Sequence, residues 1–336
     1  MENVLLGVLR GHKRPVNCVV ACKENSHLLA SGSDDSTVRL WDLRTQKVAQ
    51  CISKVFGRDG ITSIAFPSNN VLYAASLNQL YMFDLRNQSM ILTEATKIFE
   101  PLQDEINTLH AHPILKKKPW LAVPDDDGNI GIVNLQTNQL QTTLRGQHAN
   151  ICMCAAFRPK CAGYDLVTGG LDCNLVFWEM NGDRGGGRVR HRMNMQQLLA
   201  ENTLSDARQM CNPPFIHDVA FNALGRMVAA ALGDGSVALV DFGKRNLVKT
   251  LSAHQAAATC VQFASLQAKE YLLSAANDAK IAFWDYKAAL ENDEYVPHMI
   301  QLEHRPNTFA THVQDNAMTL YIGDDTTSNI AMYQVQ

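Results

Sequence analysis

The sequence has no run of 18 apolar residues and no charged-then-apolar leader at Met1–Arg10, so it predicts neither a membrane span nor secretion. Its net charge is only −3, with 19% of residues charged, which argues against a protein held on nucleic acid by phosphate contacts. Beside 46% apolar residues, so little charge also excludes general disorder. A Walker loop, a G-x-S-x-G elbow, an H-E-x-x-H motif and a Rossmann fingerprint are all missing, so no common catalytic or cofactor chemistry is signalled. The nine cysteines are odd in number and irregularly spaced, as for reduced thiols rather than a disulfide framework. The expectation is a soluble cytoplasmic or nuclear protein without enzymatic activity, cofactor or metal.

What the sequence does have is repetition. "LASGSDDSTVRLWD" (29–42) returns as "LVTGGLDCNLVFWE" (166–179) and "LLSAANDAKIAFWD" (272–285). Weaker copies end at Phe83, Val133, Val240 and Tyr333, and the closing residues of all seven copies are 42 to 62 positions apart. Each copy reads as two strands around a tight turn, with Asp127-Gly128 and Asp234-Gly235 the strongest hairpin signals. An apolar strand precedes each hairpin ("VNCVVA", "ITSIAF", "INTLHA", "ICMCAAF", "IHDVAF", "TCVQF", "TFATHV") and a fourth follows most of them.

A period in the forties with Trp-Asp endings resembles the WD-repeat family, which implies an all-β, seven-bladed propeller. The last copy lacks a fourth strand, whereas the first is preceded by an unused one, "NVLLGVL" (3–9). That strand is expected to complete the last blade and close the ring. The sequence is read as one propeller domain, 1–336, with a surface insertion at about 181–212.

Three copies share four polar residues at matching offsets: His12, Ser31, Asp35 and Trp41; His148, Thr168, Asp172 and Trp178; His254, Ser274, Asp278 and Trp284. Hydroxyl, carboxylate, imidazole and indole N–H can form one buried hydrogen-bond chain that staples a blade together. A Ser, a His and an Asp also invite a hydrolase reading. A catalytic triad occurs once, beside an oxyanion hole, whereas this set recurs at a structural period. The expected role is scaffolding.

Other clusters carry less. "HAH" (110–112) puts two imidazoles on one strand face without a third ligand nearby, and Cys152, Cys154 and Cys161 fit no usual zinc spacing. "NGDRGGGRVRHR" (181–192) reads as a solvated insertion, the alternative being that Arg188, Arg190 and Arg192 touch RNA or an acidic partner, and it leads into a short helix between Met195 and Met210. "LKKKPW" (115–120) reads as a charged connection.

"LWDLR" (40–44) and "MFDLR" (82–86) both have the form aromatic-Asp-x-Arg. They resemble the box of propellers that serve as substrate receptors of cullin-4 ubiquitin ligases. The resemblance implies that Asp42, Arg44, Asp84 and Arg86 face the ligase's DNA-damage-binding adaptor. A substrate protein would then be engaged on the opposite face, through loops such as Arg14-Pro15, Pro213-Pro214 and Arg305-Pro306-Asn307. The second copy is one residue short in its turn, with Leu77-Asn78 where the turn Asp would stand. The alternative is a generic scaffold, or a peptide or histone reader, in another complex. It needs no Asp-x-Arg pair.

Overall fold

A computed structural model describes residues 2–87, 89–113, 119–160, 165–180, 186–202, 212–314 and 316–336. The chain divides into two compact units: residues 1–109, 265–269 and 302–336, and residues 110–264 and 270–301. The described secondary structure is almost wholly antiparallel sheet, in seven sheets that are the blades of a seven-bladed β-propeller.

The first unit holds blades 1, 2 and 7. Blade 1 is Val16–Ala21, Leu28–Ser33, Thr37–Asp42 and Lys47–Ile52; blade 2 is Ser63–Ser68, Val71–Ser76, Gln79–Asp84 and Lys97–Phe99. Blade 7 is Pro306–Gln314, Ala317–Asp324 and Asn329–Val335, completed by Asn3–Arg10. That N-terminal strand pairs antiparallel with the last one, from Asn3 opposite Val335 to Arg10 opposite Asn329, so the closure read from the sequence is present. Leu9, Val16, Trp41, Ile330 and Met332 pack together beneath it.

The second unit holds the other four blades. They start at His110–Ala111, Cys152–Phe157, Ile216–Phe221 and Ala258–Leu266 and end at Gln139–Leu144, Gly187–Asn194, Asn246–Ser252 and His298–Gln301. Core side chains sit between adjacent sheets. Phe177 and Val167 of blade 4 pack with Ile216, Val219 and Val240 of blade 5. Such packing sets the residue size along each strand. A Cβ on Gly169 would lie 2.3 Å from the Ile216 side chain, so only glycine lets the two sheets approach this closely.

The turns between the second and third strands of blades 1 to 6, here the b–c turns, share one backbone requirement. Ser36, Leu77, Cys173 and Ala279 adopt φ of 50° to 60°, and Gly128 and Gly235 take the same place at 77° and 90°. Leu77 thus keeps the hairpin of blade 2 in a turn that lacks the usual Asp.

Several expectations change in detail. Gly187–Asn194, placed by sequence in a surface insertion, is the outer strand of blade 4, because Met193 is buried and Gly187 packs on Leu144 and Met180. The helix expected between Met195 and Met210 runs Met195–Asn202, and residues 203–211 lie outside the described residues. So do 181–185, 114–118 and Cys161. The inner strand of blade 3 shrinks from "INTLHA" to His110–Ala111. Ile106 N–H is spent on Leu77 O at 2.9 Å and Leu109 N–H on Ser63 Oγ at 2.9 Å.

Candidate protein-binding site

The three sets of His, hydroxyl, Asp and Trp each come together in one blade. Trp178 Nε1 lies 2.9 Å from Thr168 Oγ1, His148 Nε2 lies 2.8 Å from the same oxygen, and His148 Nδ1 lies 3.0 Å from Asp172 Oδ1. The indole can only donate and the carboxylate only accept, so the proton order follows. Trp donates to the hydroxyl, the hydroxyl to Nε2, and Nδ1–H to the carboxylate. Asp172 Oδ2 also accepts Ala149 N–H at 3.0 Å, which ties the loop before the inner strand to the turn. The other two sets repeat this around Ser31 (2.7 and 2.8 Å) and Ser274 (2.8 and 3.0 Å). Burial holds His12 and His254 below the usual imidazole range despite their carboxylate neighbours, which keeps these rings neutral.

The Asp-x-Arg turns follow the third strands of blades 1 and 2. Arg44 donates its backbone N–H and Nε–H to Asp42 Oδ1, both at 3.0 Å, and Nη2–H to Oδ2 at 2.7 Å. Arg86 repeats the fork on Asp84, with backbone N at 3.0 Å and Nε at 2.9 Å. The arginine side chains are 65% and 72% exposed. Each fork uses one edge of the guanidinium and leaves further N–H donors turned to solvent. The side-chain hydrogen bonds from arginine pull Asp42 and Asp84 down to about 2, and the same pairing raises both arginines.

The acid at this position is used differently elsewhere. Glu179 of blade 4 accepts from Arg188 and Arg190 of the outer strand. Asp241 of blade 5 caps Lys244 N–H at 2.9 Å. Asp285 of blade 6 is the N-cap of the helix Tyr286–Glu291, whose C-terminal carbonyls Lys249 holds at Ala289 O and Asn292 O. Only blades 1 and 2 present the fork among the described residues.

One connection escaped the sequence reading. Past Arg86 the chain crosses to blade 1, where Ile91–Leu92 adds a parallel strand outside Lys47–Ile52. The Gln50 amide, nearly buried in that outer strand, donates to Asn87 O at 2.7 Å and Ser89 O at 2.8 Å. The backbone next to Arg86 is therefore anchored on the blade that carries Arg44. A lone Gln in a half-apolar strand was the available signal. A cavity of about 450 Å³ opens beside Arg44, lined by Leu6, His27, Leu43 and Met332 among others.

The remaining clusters are structural. His110 Nδ1 accepts Phe157 N–H at 3.2 Å, and the buried His112 ring lies 5.0 Å from the Phe157 ring. The Cys152 and Cys154 thiols are buried, which raises both well above the usual range, and both lie against Gly169 O. Among the described residues, no three His, Cys, Asp or Glu side chains group so as to hold a metal, and no helix is long and apolar enough to cross a membrane.

Comparison with known proteins agrees with this architecture. The family "WD domain, G-beta repeat" matches residues 3–42, and "Anaphase-promoting complex subunit 4 WD40 domain" matches residues 188–266. The WD repeat-containing protein 53 homolog of Dictyostelium discoideum is 30% identical over 297 residues, 84% of this chain and 78% of that protein. Mouse Striatin-4 is 31% identical over 185 residues, 53% of this chain but only 23% of its own length. With its repeats, its blades and a similarity to that homolog that spans most of both chains, the chain belongs to the WD-repeat family and is similar within it to WD repeat-containing protein 53.

Proposed function

We propose that this protein is a substrate receptor of a cullin-4 ubiquitin ligase, with Arg44 and Arg86 contacting the DNA-damage-binding adaptor. The WD-repeat fold supplies a protein-interaction scaffold. The observation that carries the finer reading is the pair of matched, exposed Asp-x-Arg forks on neighbouring blades, joined through Asn87, Ser89 and the strand Ile91–Leu92. Each Asp holds its guanidinium in one orientation before a partner arrives, which lowers the entropy lost on docking. The free N–H groups can then fork onto carbonyls or carboxylates of the adaptor. The client would meet the loops that lead into the inner strands of blades 1 and 7, at Arg14-Pro15 and Arg305-Pro306-Asn307. There Ser33 Oγ holds Arg14 O at 3.0 Å and Asn307 Nδ2 reaches Val16 O at 3.4 Å.

The test is the Arg44→Ala/Arg86→Ala double variant. Both side chains project into solvent, so the melting temperature should move by under about 2 °C. Adaptor affinity should fall about thirtyfold or more, as for truncated interface arginines, and cullin-4 should be lost with the adaptor. Arg44→Lys should restore little, because a point charge cannot reproduce the fork. A folded double variant that recovers the adaptor at wild-type level would leave only the generic scaffold.

A further inference from the structure

We infer that the outer strand of blade 4, Gly187–Asn194, is a docking edge for an acidic, extended peptide segment of a partner protein. The strand is last in its sheet, and no described strand pairs with its outer side. Its eight residues offer roughly 26 Å of backbone donors and acceptors. Arg188, Arg190 and Arg192 are exposed along it, and Arg145, also exposed, follows the Leu144 side chain that packs on Gly187. Arg188 and Arg190 share one carboxylate, Glu179; Asp165 also acts on Arg190 but is paired with Arg158, and among the described residues Arg192 meets the neutral Gln147 Oε1 at 2.8 Å. The edge therefore keeps a positive excess that its own neighbours do not cancel. The other outer strands of this unit differ. "QLQTTL" and "HMIQ" hold no Lys or Arg, and Lys249 of "NLVKTLS" is turned onto helix carbonyls.

Beside this edge lies a cavity of about 400 Å³ with Met193, Leu198 and Leu247 among its walls and Arg192, Arg245 and Glu201 also lining it. An apolar side chain of the incoming segment would fit there while its carboxylates meet the arginines. A peptide matches both features of the edge, since its backbone completes the ladder and its acids answer the cations. A nucleic acid matches only one. The strand exposes no aromatic ring for base stacking, because His191 is half-buried with its ring 5.9 Å from Phe177. The arginines also repel basic strands, which gives the edge its selectivity.

The experiment measures fluorescence anisotropy of a labelled ten-residue peptide alternating Glu with Val and Leu. Its twin with Gln for Glu and a ten-nucleotide single-stranded RNA serve as competitors in class. The Glu peptide should bind at least about tenfold tighter than the Gln twin and weaken steeply between low and physiological salt. Arg188→Ala/Arg190→Ala should lose about tenfold in affinity, and amide exchange at Gly187–Asn194 should slow when peptide is bound. Should that variant fail to fold, the Gln twin on the wild-type protein decides alone. Equal binding of the two peptides, tighter binding of the RNA, unaffected binding by a folded variant, or no binding of the Glu peptide would each overturn the inference. Adaptor binding through Arg44 and Arg86 enters none of these readouts.

Discussion

Replacing Asp172 with Ala strands the His148 Nδ1–H, the Ala149 N–H and the Asn174 amide, all of which donate to its carboxylate. We expect a loss of about 2–4 kcal/mol in urea unfolding, with binding affected only as far as folding is. Burial alone would raise this carboxyl, but hydrogen bonds from His148 and Asn174 outweigh it and pull it to about 2. Its contribution is thus present above the unfolded value near ~4 and fades as pH falls toward 2. Asp218 has the opposite sign. It bridges two inner strands, accepting Val219 N–H at 2.8 Å and Val261 N–H at 2.9 Å, near the buried Cys154 thiol and the half-buried Cys260. Burial pushes it up to about 7, so stability is full below ~4 and declines as pH rises through 7. Asp218→Asn should flatten the fall in melting temperature between pH 5 and 8 that the wild type shows. A parallel fall in both proteins would remove this account. Asp172 is legible in sequence because it recurs at a fixed offset, whereas nothing beside Asp218 reveals which backbone it meets.

At the scale of elements, the b–c turns carry a testable strain. Ala279 sits at φ 58° where blade 5 has Gly235 at 90°. Left-handed backbone disfavours a Cβ by about 1–2 kcal/mol, partly offset by the freedom glycine adds to the unfolded chain. Ala279→Gly should therefore stabilise by about 0.5–1 kcal/mol, read as a higher urea midpoint at unchanged slope. Gly235→Ala should destabilise, since its Cβ would also come 2.8 Å from Ala256 O. A lower midpoint for Ala279→Gly would show that the Ala side chain's packing outweighs the strain. The hairpins are visible in sequence through period-2 alternation and Asp-Gly turns. The added strand Ile91–Leu92 is not, because a two-residue strand has no period and the chain before it is held by Gln50, 37 to 39 positions earlier.

For the whole molecule, the first residues and the last share one sheet. Deleting Met1–Leu9 removes the partner of Asn329–Val335 and uncovers Ile330 and Met332, buried now at 0% and 3% exposure. The truncated protein should melt far lower or aggregate through its new edge. A synthetic peptide of residues 1–10 should restore part of the melting temperature by re-forming the ladder. A truncated protein with the wild-type melting curve would mean that blade 7 is stable with three strands.

By itself the sequence determined the blade count, the tetrads and the closing strand, because each is a local pattern repeated at a near-constant period. It also singled out both Asp-x-Arg turns, whose fork is made two residues apart. Tertiary structure alone decided that Gly187–Asn194 is a strand rather than an insertion, since Met193 and Gly187 reveal their role only against Leu144 and the facing strand. It likewise decided that the chain past Arg86 is anchored on blade 1, and that Glu179 is spent on two arginines while Asp42 and Asp84 each hold one. In each case the deciding partner is distant in sequence, or lies on another strand whose register no local pattern encodes.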